Sequence, residues 1–234
     1  MSLAQNIADI RVKIAEAAHA AGRAPEDILL CAATKMNDAD AVRQAIAAGV
    51  DLCGENRVQE LTQKLSEDAY RGAPVHFIGH LQTNKVKQVV GRVDLIQSVD
   101  SLRLLEAIQK EAARQGIRQD ILLEVNIGNE ESKTGFAAPE ILPLVERFSD
   151  FSNLRLRGLM AIPPISQNFG DNRKFFQEMY QLSVDITTKK GDNVCVDILS
   201  MGMSDDFADA IACGSTMIRI GTAIFGQRNY TKHQ

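Results

Sequence analysis

The stretch Ile28-Leu29-Leu30-Cys31-Ala32-Ala33-Thr34-Lys35-Met36-Asn37-Asp38 decides how the chain is read. An apolar run of strand length ends in a lysine, and a polar break follows in which Asn37 or Asp38 can cap a helix. A doubly wound sheet would place a glycine-rich turn after its first strand, and Thr34-Lys35-Met36-Asn37 is nothing like one. Outward from this stretch the same alternation repeats. Strands are expected at 28–35, 51–54, 74–78, 95–99, 121–127, 154–162, 194–199 and 217–220. Helices are expected at 39–48, through Leu65, around Lys85 and Lys87, through Leu102, Leu105, Ile108 and Ala112, and at 138–148, 173–187 and 204–212. Pro143 predicts a late start or a kink in the 138–148 helix. Strands separated by helix-length segments form βαβ units on a parallel sheet. About eight such units in 234 residues suit an α/β chain closed into a single (β/α)8 TIM barrel, which commonly takes ~250 residues. An extra amphipathic helix, Ala4 to Ala21, precedes it, and no linker or compositional shift divides residues 1–234.

Composition narrows the function. The formal charge is −4, from 26 basic and 30 acidic residues, which does not favour nucleic acid or a membrane surface as partner. No apolar stretch has the length to cross a bilayer, and Met1 to Ile10 lacks the pattern of a signal peptide. Cys31, Cys53, Cys195 and Cys213 form no Cys-x-x-Cys pair and are expected as buried free thiols in a reducing compartment. The chain therefore reads as cytoplasmic.

In a parallel barrel, functional groups gather at the C-terminal strand ends. Those ends carry Lys35, Asn56, Gly79-His80, Asn126, Met160, Ser200 to Ser204 and Arg219 to Thr222. Taken alone, Lys35 is a lysine whose ammonium snorkels to solvent at a strand end. Beside two loops able to hold phosphate, it becomes an amine for Schiff-base chemistry. Ser204, after the seventh strand, either caps a helix or faces an anion, and Gly202 and Gly221 allow close backbone approach. An amine after the first strand with phosphate cradles after the seventh and eighth points to pyridoxal 5′-phosphate.

A family resemblance rests on these and neighbouring motifs. They are Ala32-Ala33-Thr34-Lys35, Gly54-Glu55-Asn56-Arg57-Val58-Gln59-Glu60, His76 to Lys85, Leu156 to Ile162, Leu199 to Asp206 and Gly214 to Gly226. In this order they resemble the pyridoxal phosphate homeostasis protein family over nearly the whole chain, to Tyr230. His80 departs from the proline many relatives carry. The resemblance implies a fold-type III barrel like the N-terminal domain of alanine racemase, with the cofactor on Lys35. It also implies phosphate binding around Ser204, Gly221 and Thr222, and Arg219 beside the pyridine nitrogen. With Asn56, these are the expected cofactor-binding residues; no catalytic residue is expected. The implied role is a carrier that keeps free pyridoxal phosphate low and exchanges it with apo pyridoxal phosphate enzymes, without established turnover.

Physical chemistry supports those roles. Lys35 must be neutral to attack an aldehyde, which burial beside a cation favours. A permanently charged Arg219 disfavours a proton on the ring nitrogen and limits carbanion chemistry. The competing reading is an amino-acid racemase of the same barrel type. It lacks an acid–base tyrosine at a strand end and a second domain before Gln234. A weaker third reading is an interaction module that uses the cofactor as a sensor. His76 and His80 are not expected to form a metal pair. Lys64, Lys85 and Lys87 are expected on solvated helix faces, and Asp205-Asp206 as first-turn charges of their helix. Lys133, in the loop after the fifth strand, reads either as a surface loop lysine or as a mobile cation that assists cofactor exchange or holds a second phosphate-bearing ligand. A monomer is expected.

Overall fold

The computed structural model describes residues 2–164, 170–189 and 191–226. Eight parallel strands run β1 Leu29–Ala33, β2 Leu52–Glu55, β3 Val75–Phe77, β4 Leu95–Val99, β5 Gln119–Val125, β6 Leu154–Ala161, β7 Val194–Ser200 and β8 Met217–Ile220. They close in sequence order, with β8 returning to β1. The helices are α1 Leu3–Ala20, α2 Ala39–Ala47, α3 Val58–Ser66, α4 Leu102–Gln115, α5 Ala138–Glu146, α6 Arg173–Thr187, α7 Phe207–Ala212 and α8 Thr222–Phe225. α1 precedes the barrel, and α2 and α3 follow β1 and β2. A 3-10 helix, Thr83–Gln88, follows β3, and α4 to α8 follow β4 to β8 in turn.

Strand alternation splits the apolar residues into two cores. Outward residues such as Leu30, Ala32 and Ile121 join the helices in one large buried cluster. Inward residues, among them Cys31, Leu52, Leu95, Leu122, Met160, Ile198 and Met217, form a separate cluster inside the barrel. Two residues further along the strands, the same inward face carries Ala33, Gly54, Gln97, Glu124, Ser200 and Arg219. The wall nearest the mouth is therefore small on β1 and β2 and polar on β4, β5, β7 and β8.

Several expectations change in detail. The segment with Lys85 and Lys87 is the 3-10 helix, not an α-helix, and α4 packs against it. Pro143 lies inside α5, which starts at Ala138 as expected and stops at Glu146 before a short 3-10 turn at Phe148–Asp150. The helix expected from Ser204 begins at Phe207. Asp206 turns back to accept the Met203 N–H at 2.8 Å, so Ser204 sits in a turn before the helix and does not cap it. Asp206 also takes 2.9 Å from Asn172 Nδ2, so it is not simply a first-turn charge. Lys64 is buried, not solvated, because it is ion-paired with Glu55. Cys31 and Cys53 are buried, but Cys195 is exposed, where β7 pairs with the short β8 only at Ser200. Residues 165–169, in the connection between the expected strand 154–162 and the expected helix 173–187, fall outside the described residues, as does Tyr230.

Candidate functional site

At the C-terminal mouth a cleft of about 530 Å3 opens between the ends of β1, β2, β7 and β8. Lys35, Asn56, Ser204, Arg219, Gly221 and Thr222 all line it. Lys35 reaches it because β1 ends at Ala33, leaving the lysine two residues past the strand, half-buried at the lip. Asn56 follows the last residue of β2. Arg219 lies in β8, in register with Cys31 of β1, and its inward side chain is buried.

Arg219 is fixed from below. Its Nη1 donates to Ser200 Oγ at 2.5 Å and its Nη2 to the Ala161 carbonyl at 2.9 Å. Ser200 Oγ donates to Gln97 Oε1 at 2.7 Å, and Gln97 Nε2 meets His76 Nδ1 at 2.9 Å. A polar chain therefore crosses the barrel interior from the cleft to β3. Burial lowers the Arg219 pKa from its ordinary value, while Cys31, Glu124 and Asp206 act to raise it. Burial likewise raises the Glu124 carboxyl, with Asp100 adding to the effect. Burial depresses the His76 imidazole to about 4.

The cleft has the donors and the space for a phosphorylated aromatic aldehyde. Among the described residues Asn56 Oδ1 is buried without a hydrogen-bond partner, an acceptor in a residue that lines the cleft. At Gly221 φ is −117°, open to any residue, so glycine there serves space. A Cβ at 221 would stand 3.4 Å from Ala33 Cβ, and both residues line the cleft. Gly202, at φ +95°, is required for conformation as well, since a Cβ would come within 2.6 Å of Ala210 Cβ. A lysine amine, a buried guanidinium and the hydroxyls of Ser204 and Thr222 suit a carbonyl, a ring nitrogen and a phosphate. Asp205 also lines the cleft, but its carboxylate is exposed.

Other strand-end residues do not join this group. Met160 packs inside the barrel. Asn126 fastens its own loop, accepting the Glu130 N–H at 3.1 Å and donating to the Glu130 carbonyl at 2.9 Å. His80 pairs with Asp100 at 2.9 Å, apart from the buried His76. Lys133 is not a loose cation: it is ion-paired with Glu130 and donates to the Pro163 carbonyl at 3.0 Å. Among the described residues no tyrosine lines the cleft; Tyr70 is buried beside Glu55 and Tyr180 lies on α6. The cleft also takes in Ala33, Ile78, Ile162, Met203 and Ala223. Ile78 and Ile162 close their expected strands, so the strand-end rule reaches them. Ala33 closes β1 and Met203 lies in the strand-end group Ser200 to Ser204, while Ala223 owes its place to the path of the chain after Thr222.

Residues 6–229 match the family model described as the N-terminal domain of alanine racemase. A pyridoxal phosphate homeostasis protein of Aquifex aeolicus is 39% identical over 230 residues, covering 98% of this chain and 100% of that protein. Its counterpart in Escherichia coli K12 is 40% identical over 233 residues, covering 98% of both. The structure of PipY from Synechococcus elongatus, described as having PLP bound, is similar with a TM-score of 0.82 and 30% identity, covering 96% of this chain and 100% of that one. With the closed barrel and its cleft, these matches show that the chain belongs to the alanine racemase N-terminal domain family and, within it, to the pyridoxal phosphate homeostasis proteins.

Proposed function

We propose that this chain binds pyridoxal 5′-phosphate reversibly in the mouth cleft and acts in homeostasis of that cofactor. The observation that carries the reading is the convergence on one cleft of an amine, a guanidinium and two hydroxyls from loops far apart in sequence. When bound, the cofactor supplies an aldehyde that condenses with an amine. Lys35 supplies that amine, and Ser204, Gly221 and Thr222 surround the phosphate. Asn56 offers its unpartnered Oδ1 as an acceptor. Arg219 brings a fixed positive charge to the ring nitrogen and keeps a proton off it. That electronic setting favours holding the cofactor over carbanion chemistry, and the absence of a cleft tyrosine among the described residues supports the same choice. The chain then works as a monomeric cytoplasmic reservoir that exchanges cofactor with apo enzymes, with no turnover of its own.

Borohydride reduction of the loaded protein followed by peptide mapping tests this reading. A reduced adduct on Lys35 is expected, and Lys35→Ala is expected to lose it. An equal yield of adduct from the variant would remove Lys35 from the role. The racemase reading predicts solvent hydrogen exchange at Cα of amino acids given to the loaded protein; we expect none above the free cofactor.

A further inference from the structure

Behind the lip that carries Lys35 lies a buried charge cluster outside the cleft. Glu55 is fully buried, and its Oε2 accepts from Lys64 Nζ at 2.6 Å, Thr34 Oγ1 at 3.0 Å and Tyr70 OH at 3.3 Å. Its Oε1 accepts the Asn56 N–H at 2.7 Å. Lys64 Nζ also donates to the Thr34 carbonyl at 2.8 Å and to Glu60 Oε2 at 3.4 Å. Glu60 Oε2 in turn accepts the Met36 N–H at 2.6 Å.

These bonds fall on the two peptide groups that flank the Lys35 Cα. The peptide before it is held by Lys64 at the Thr34 carbonyl. The peptide after it is held by Glu60 at the Met36 N–H and by Asn37 Nδ2, which donates to the Lys35 carbonyl at 3.0 Å. Met36 itself has φ +62°, a left-handed conformation that an unbranched side chain adopts at a cost and that persists where surrounding contacts impose it. The residue is 53% exposed, so packing does not impose the conformation. The turn closed by the Asn37 N–H on the Thr34 carbonyl at 3.1 Å places Met36 where positive φ is taken up, and the charged acceptor on α3 fixes its N–H there.

We propose that Glu60 and Lys64 are positioning residues for Lys35. Together they clamp the peptides on either side of it, hold Met36 in the left-handed region and thereby aim the amine into the cleft. Loss of the Glu60 bond lets residue 36 relax toward negative φ, which rotates the backbone that carries Lys35. The clamp therefore sets how long the cofactor stays. The inference rests on the reading of Lys35 as the covalent anchor.

The experiment compares wild type, Glu60→Ala, Glu60→Gln, Met36→Gly and the Glu60→Ala/Met36→Gly double variant. Each is loaded with pyridoxal 5′-phosphate, and loss of the borohydride-reducible adduct is followed after dilution into excess hydroxylamine. Thermal unfolding of the unloaded proteins is recorded alongside. Glu60→Ala is expected to release cofactor about tenfold faster, the scale of one charge-assisted hydrogen bond, with little change in Tm. Glu60→Gln keeps an acceptor oxygen and is expected to stay within about threefold of wild type. Glycine tolerates positive φ unaided, so Met36→Gly is expected to recover much of the loss in the Glu60→Ala background. A purely structural role for Glu60 would lower Tm without that recovery. Unchanged release in Glu60→Ala, or no recovery in the double variant, overturns the clamp and leaves the Lys35 reading intact. Absence of a Lys35 adduct in wild type overturns the reading and the clamp together.

Discussion

Single residues at the mouth are set by groups beneath them. Arg219 is a cation in a barrel interior, and Ser200 and the Ala161 carbonyl satisfy it there. The chain below it ends at His76, which burial depresses from 6.5 to about 4, with Arg157 lowering it further and Asp94 and Asp120 opposing. An unfolded chain takes up this proton near pH 6.5 and the folded one only near pH 4. Between those values the unfolded state holds more protons, so stability present above pH 6.5 is lost as pH falls. The shift corresponds to about 3 kcal/mol. Denaturant unfolding at pH 7 and pH 4 should show wild type losing about 3 kcal/mol more than His76→Gln; equal losses would mean that His76 is not held neutral by the fold. Lys35 was legible in the sequence as an ammonium closing an apolar run. The cluster of Glu55 and Lys64 was not, because a lysine on an amphipathic helix carries the same local pattern whether it meets water or a buried carboxylate.

At the scale of elements, the strand–helix alternation was readable because each strand is an apolar run bounded by polar breaks and most helices repeat at 3.6 residues. The connection after β3 is the exception. Six residues of 3-10 helix replace an α-helix there, and α4 covers the ground. Its lysines belong to any helix type, so composition does not distinguish them. α7 starts later than its sequence suggests because Asp206 satisfies the Met203 N–H through a turn, a choice that Ser204 could equally have made. α1 has a task beyond covering apolar surface. It packs against α7 and α8, and Asn6 Nδ2 donates to the Ile224 carbonyl at 2.9 Å. That bond anchors the α8 turn, which begins at Thr222 on the cleft wall. Asn6→Ala is expected to cost about 1 kcal/mol, a fall in Tm of about 2–4 °C by scanning calorimetry. An unchanged Tm would mean that α1 holds the turn by apolar packing alone.

Over the whole molecule, closure of the barrel separates an inner from an outer core and so sorts the thiols. Burial pushes Cys53 up to about 12 and Cys31 higher still, whereas Cys195 is exposed on β7. Because the thiolate is the reactive form, alkylation followed by mass spectrometry should label Cys195 in the native protein. Cys31 and Cys53 should be labelled only through the denaturant transition, and native labelling of Cys31 would mean that the barrel opens locally. The sequence by itself determined the strand order, the parallel barrel and the strand-end residues of the cleft, because βαβ chirality and the two-residue alternation leave few other closures. The tertiary structure alone decided what surrounds them. It placed Glu55 and Lys64 behind Lys35, ran the chain from Arg219 to His76 through the barrel, and paired His80 with Asp100. These partners stand on different strands, helices and loops, and the packed tertiary structure brings them within hydrogen-bond distance.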